Sequence, residues 1–110
     1  MSEIETRLHA AKDRMGDFSK SAGKLMQGFA SVAQAATAQG HFDPGQRELI
    51  AVALSVAKGC DDCILYHVDA AKRHGASEEA LVEVLEVAVE MGGGPAVMYA
   101  GRALEAWRTL

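Results

Sequence analysis

The clearest helix signal in the chain is the stretch DPGQRELIAVALSVA, residues 43–57. Asp43 can cap a helix, Pro44 suits the first helical position, and Gln46 stands three residues after the cap, which is the spacing of a capping box. The second half of the stretch is apolar around most of the helix circumference, which is typical of a helix buried in the middle of a bundle. We therefore predict a central helix over residues 44–57.

The rest of the chain carries further helix signals, most of them ended by glycines. They predict helices at about residues 3–15, 17–39, 60–74, 77–91 and 95–108. The chain contains 20 alanines and shows no strand-like alternation, and alanine is the best helix former. The predicted fold class is therefore all-α, with residues 1–110 as a single domain of five or six helices.

Several apolar side chains repeat at helical spacing within these segments. In residues 17–39 one side of the helix carries Leu25, Phe29 and Ala33. We expect four methionines to fill gaps in the core because their side chains are flexible: Met15, Met26, Met91 and Met98. For Trp107 we expect a core or subunit contact.

Length and charge limit the class of protein. A chain of 110 residues buries roughly 65% of its unfolded surface, which is enough for one core without disulfide support. The net charge of -4 argues against nucleic acid or an anionic membrane as the main partner. The longest apolar run, Leu49 to Leu54, is far too short for a membrane span, and the acidic start MSEIE is unlike a signal peptide. We therefore expect a soluble, cytoplasmic protein with no nucleic-acid or membrane partner.

Both cysteines lie in one motif, Cys60-Asp61-Asp62-Cys63. A structural zinc site would need a second cysteine pair or a close histidine pair, and the chain has neither. Haem attachment needs a histidine directly after the second cysteine, and a thioredoxin-type motif should follow a strand. Two alternatives remain, a redox-active dithiol and a pair of buried cysteines that act as small apolar residues.

The position of the motif favours the dithiol. Residues three apart share a helix face with Cα atoms about 5 Å apart, within the range of a disulfide. Gly59 precedes the pair and predicts that it lies in the first helical turn, where free N–H groups and the helix dipole favour a thiolate. Asp61 and Asp62 oppose this effect, and the sequence leaves open which influence is larger.

Two further side chains lie at suitable spacing from the cysteines. His67 follows Cys63 by four residues and Cys60 by seven, so it shares their helix face and can accept a thiol proton directly or through a water. Glu48 either stabilises the start of its helix from solvent or faces the core. In the core it needs a partner, and a hydrogen bond to His67 would fix the imidazole tautomer. These four are the candidate catalytic residues, and they call for no metal, flavin or nucleotide cofactor.

The combined pattern is Glu48, eleven residues, the CxxC pair, three more residues and His67. It resembles the signature of the alkylhydroperoxidase D / carboxymuconolactone decarboxylase family over roughly residues 42–91. The resemblance implies an alkylhydroperoxidase D-like helical bundle and dithiol peroxidase chemistry. Cys63 matches the cysteine that attacks the peroxide, Cys60 the cysteine that closes the disulfide, and Glu48 with His67 a proton relay. The resemblance also implies a homo-oligomer (trimer or hexamer), a peroxide substrate and a dithiol reductant protein.

One position departs from the pattern. Asp62 stands where the best-known peroxidase members carry an additional histidine, and an acid next to the nucleophile disfavours its thiolate. The decarboxylase branch lacks the cysteine pair, so we do not expect lactone chemistry. Two alternatives to the peroxidase stay open: a dithiol–disulfide exchange partner or redox sensor for another protein, and a non-enzymatic subunit of a helical assembly.

Overall fold

The computed structural model describes residues 1–110, which form six α-helices and no strand. The helices are α1 (Glu3–Ser21), α2 (Gly23–Ala36), α3 (Pro44–Lys58), α4 (Asp61–Arg73), α5 (Glu78–Gly92) and α6 (Gly94–Thr109). None of them is both long and apolar enough to cross a membrane. The all-α fold class predicted from the sequence is confirmed.

Helix α3 begins with the predicted capping box. The Asp43 carboxylate accepts a hydrogen bond from the Gln46 backbone N–H at 2.8 Å, and the Gln46 side chain accepts one from the Asp43 N–H at 2.9 Å. The helix then packs against α4, α5 and α6, so its predicted central position is confirmed. Its outer side, with Ile50 and Leu54, is exposed.

The four helices α3 to α6 form the core of the molecule. Helices α3 and α5 run parallel, because Gly45 lies beside the turn before α5 and Ala57 lies beside Gly92. Between them the fully buried side chains interlock, and the largest are Ile64, Leu81, Val52, Val56 and Val68. Trp107 near the end of α6 belongs to this core and is 8% exposed.

The N-terminal helices differ from the prediction. Helix α1 continues through Gly16, and the chain turns at Ala22 (φ -119°, ψ 51°). A single glycine costs a helix only about 1 kcal/mol, so it does not end one whose neighbours continue it. Helix α2 has no buried residue, and its apolar side, with Leu25, Phe29 and Val32, is exposed.

The prediction that the methionines fill the core was wrong for three of the four. Met15, Met91 and Met98 are 42%, 77% and 72% exposed, and only Met26 is half-buried. Helical spacing identifies an apolar stripe but does not show how much of it a neighbouring helix covers. The stripes of α5 and α6 are wider than the faces that pack within one chain.

Candidate functional site

The turn between α3 and α4 fixes the position of the first cysteine. Gly59 adopts a left-handed conformation (φ 72°, ψ 44°), which glycine tolerates without steric cost. Its N–H donates to the Val56 carbonyl at 3.2 Å, and the Cys60 N–H donates to the Ser55 carbonyl at 3.0 Å. This is the Schellman arrangement, which satisfies the last carbonyls of α3. The backbone therefore leaves α3 with Cys60 in a defined place.

The two cysteines form a disulfide with their Cα atoms 5.3 Å apart. Cys60 is the N-cap of α4, one position before the first turn, and its Sγ accepts a hydrogen bond from the Cys63 N–H at 3.3 Å. Both residues are half-buried. The sulfurs thus lie at the positive end of the α4 dipole and within reach of a molecule from outside.

Glu48 faces the core and contacts His67. It is 4% exposed, and its Oε2 lies 2.7 Å from the His67 Nδ1, while the imidazole itself is 29% exposed. An ionised carboxylate only accepts hydrogen bonds, so Nδ1 donates and Nε2 is left as the acceptor of the neutral ring. The imidazole also supplies the partner that a buried carboxylate needs.

In the disulfide form, His67 makes no hydrogen bond to either sulfur. The hydrogen bond on Cys60 Sγ comes from the backbone of α4, and the only hydrogen bond of the imidazole goes to Glu48. The ring of Tyr66 lies edge-on to the imidazole, with centroids 5.2 Å apart. Proton transfer between His67 and a sulfur therefore needs a bridging water or a shift on reduction.

A cavity of about 280 Å³ lies between α1, α4 and α6. Asp61, Ile64 and Arg102 are among its lining residues. None of the four predicted site residues lines it, because the cavity borders a different face of α4. The structure therefore brings the predicted residues together as two contacts, the disulfide and the Glu48–His67 pair.

Three residues near the cysteines have no signal in the sequence analysis. Arg14 of α1 donates to Asp62 at 2.9 Å, and Arg102 of α6 donates to both oxygens of Asp61 at 3.0 and 2.9 Å. Tyr99 packs against Gly59, where a β-carbon would lie 3.2 Å from its ring. The arginines are 48 and 41 residues from their partners, so no local spacing could have revealed them.

Residues 23–106 match the model of one protein family, described as the carboxymuconolactone decarboxylase family. The chain belongs to this family. The family resemblance seen in the Glu48, CxxC and His67 pattern is thereby confirmed.

Two relatives of this family member cover most of its length. An uncharacterised protein from Cupriavidus necator is 46% identical over 103 residues, which are 94% of this chain and 91% of that protein. A protein described as uncharacterised protein 4 in the cox locus of Paracoccus denitrificans is 34% identical over 94 residues, 86% and 85% of the two chains.

Two crystal structures share the fold. A carboxymuconolactone decarboxylase family protein from Legionella pneumophila, in its apo form, superposes with a TM-score of 0.93 at 42% identity and covers 99% of this chain and 97% of that one. A protein from Thermotoga maritima superposes with a TM-score of 0.81 at 28% identity, covering 93% and 90%. These similarities support the six-helix architecture as a whole.

Proposed function

We propose that the protein is a thiol peroxidase that reduces hydrogen peroxide or alkyl hydroperoxides through its CxxC pair. The observation that carries the proposal is the buried Glu48 bound to His67, four residues beyond an accessible cysteine pair on α4. A buried carboxylate is costly unless it has a role or a partner. Here it orients an imidazole on the helix that carries both sulfurs.

In the first step Cys63 attacks the peroxide. Its thiol proton passes to Nε2 of His67 through a water, while Glu48 holds Nδ1 and stabilises the imidazolium that forms. The thiolate attacks the distal peroxide oxygen, so an S–O bond forms and the O–O bond breaks. The alcohol or water leaves with a proton, and Cys63 is oxidised to a sulfenic acid.

In the second step Cys60 resolves the sulfenic acid. Its sulfur attacks Cys63, so the S–S bond forms, the S–O bond breaks and water leaves. The Cα separation of 5.3 Å in the disulfide is within the ordinary disulfide range, so closure fits the helix geometry. A dithiol protein then reduces the disulfide by exchange and is itself oxidised. All electrons pass through sulfur, and we expect the cycle in the cytoplasm, where dithiols stay reduced.

We also propose that the protein works as a homo-oligomer, a trimer or a hexamer. On α2, Leu25, Phe29 and Val32 are 64%, 58% and 63% exposed. A second exposed face includes Met91 and Met98. Monomers rarely leave contiguous apolar faces of this kind in water, and contact between copies would cover them.

The peroxidase is tested by consumption of an alkyl hydroperoxide in the presence of a dithiol reductant. We expect Cys63→Ser to lose turnover and His67→Gln to slow it by about 100-fold, which is typical of removing a general base. His9→Gln, an exposed histidine on α1, is the matched control and should turn over at the wild-type rate. A Cys63→Ser protein that consumes peroxide at the wild-type rate would exclude the peroxidase assignment.

A second candidate function is dithiol–disulfide exchange or redox sensing for another protein. Two observations favour it: the carboxylate of Asp62 next to Cys63, and the lack of a His67–sulfur contact in the disulfide form. A sulfenic-acid trap on the Cys60→Ser variant separates the two functions. Rapid trapping after addition of peroxide supports the peroxidase, and an untrapped thiol supports exchange.

A further inference from the structure

Two negative charges lie between the cysteines, and each meets a guanidinium from outside the α3–α4 pair. Asp62 binds Arg14 of α1 through one oxygen, and Asp61 binds Arg102 of α6 through both. These contacts fasten the first turn of α4 to two helices that carry none of the predicted site residues.

We propose that Arg14 and Arg102 are positioning residues that set the redox equilibrium of the dithiol by neutralising Asp61 and Asp62. The inference rests on the proposed redox role of the cysteine pair, although it does not depend on peroxide being the oxidant. It also answers the question that the sequence leaves open, because it assigns the larger influence to the helix start.

The sign of the effect follows from the charges around the sulfurs. Carboxylates near a sulfur destabilise its thiolate, whereas the N-terminus of α4 stabilises it. Once each aspartate is paired, the net charge beside the disulfide is near zero and the helix start prevails. Lys58 precedes the motif, and on the remaining side stands the Glu48–His67 pair. A more stable thiolate favours the reduced dithiol, so the arginines make the disulfide easier to reduce.

The two arginines differ in how directly they report on charge. Arg102 also lies over the Tyr99 ring, 5.6 Å from its centroid, and that ring packs against Gly59. Its loss would therefore disturb the turn before Cys60 as well as the charge. The side chains of Arg14 and Asp62 are 63% and 56% exposed, so replacing Arg14 changes the charge with little effect on packing. Arg14 is the better residue to test.

The experiment measures the dithiol–disulfide ratio in glutathione buffers of fixed composition, at low ionic strength, by alkylation and mass spectrometry. Exposed ion pairs contribute modestly, so we expect Arg14→Gln to shift the equilibrium toward the disulfide by about two- to fivefold. Lys20→Gln is the matched control: it removes the same charge from α1, at a lysine that forms no ion pair. Its equilibrium should equal that of the wild type.

A double variant separates charge from structure. Asp62→Asn combined with Arg14→Gln removes both members of the pair, so the ratio should return to the wild-type value or move toward the dithiol. High salt should shrink the effect of Arg14→Gln, because exposed charges are screened. The inference is overturned if Arg14→Gln behaves like Lys20→Gln, or if its shift persists unchanged with Asp62→Asn. The assay contains no peroxide, so its outcome is independent of the turnover test on Cys63→Ser.

Discussion

The two halves of the molecule use their apolar residues differently. From Pro44 to Thr109, four helices bury almost the whole core, whereas Leu8 is the only buried residue of α1 and α2. Glu48, the cysteines and His67 all belong to the first of these regions. The N-terminal helices add Arg14 beside the site and an apolar face on α2 that the single chain does not cover. The contrast indicates that the bundle builds the site and that the N-terminal helices serve charge and assembly.

The sharpest test of this contrast removes one leucine from each region. Leu81, fully buried in α5, should lower the free energy of unfolding by about 2–5 kcal/mol when changed to alanine, because a cavity remains. Leu25→Ala in α2 is the matched change at a site 64% exposed, and it should cost less than about 0.5 kcal/mol. Urea unfolding followed by Trp107 fluorescence measures both. Low protein concentration is needed because self-association adds to stability. Equal costs at the two positions would contradict the division.

The role of α2 in assembly is tested by placing a charge on its apolar face. Phe29→Asp should lower the molar mass in solution to that of a single chain, because a carboxylate cannot be buried in an apolar contact. Light scattering after size exclusion measures the mass, and circular dichroism checks that the helices persist. Gln27→Asp adds the same charge at an exposed polar position of α2 and should leave the assembly intact. A wild-type protein that already has the mass of one chain would refute the assembly proposal.

Two glycines give opposite predictions in the two regions. Gly59→Ala should destabilise the protein by about 1–2 kcal/mol, because the left-handed conformation is unfavourable for residues with a β-carbon, and the Tyr99 ring is close. Gly16→Ala, inside α1 with no neighbour within 4 Å, should stabilise it by about 0.5–1 kcal/mol. Thermal unfolding of the two variants gives both signs. Stabilisation by Gly59→Ala would contradict the observed turn.

The smallest expected effect concerns the ion pair that joins the start of α5 to the end of α6. The hydrogen bond from Arg108 lowers the pKa of the Glu78 carboxyl below its ordinary value. Since the pKa is depressed in the folded state, the contribution is present above the ordinary glutamate pKa and is lost as the pH falls through the folded value. Arg108→Gln should therefore flatten the acid limb of the stability profile slightly, because the pair is exposed. Lys24→Gln in α2 should leave that limb unchanged, and identical profiles for the two variants would show that the pair contributes nothing.

The parts of the structure that local signals encode could be predicted from the sequence. The capping box of Asp43 and Gln46 fixed the start of α3, Gly59 its end, and the spacing of the cysteines and His67 placed them on one helix. The burial of Glu48 remained one of two alternatives, because a residue near a helix start can face either solvent or the core. Its contact with His67 joins two helices.

Other features depend on contacts that no local pattern encodes. The end of α1 was misplaced because Gly16 is a weak helix breaker when its neighbours are strong helix formers. The exposure of the methionines could not be predicted, because helical spacing does not reveal how many neighbours a stripe has. Arg14 and Arg102 reach the aspartates across the fold, and only the packing of α1 and α6 on α4 brings these charges together.

The most direct measurement of the proposed chemistry mixes the fully reduced protein with an alkyl hydroperoxide in a stopped-flow instrument and then maps the cysteines by mass spectrometry. A Cys60–Cys63 disulfide should form in step with peroxide loss, much faster than free cysteine is oxidised, and Glu48→Gln should slow it by about 10- to 100-fold. Sulfurs that remain thiols, or that oxidise at the rate of free cysteine, would contradict the peroxidase chemistry.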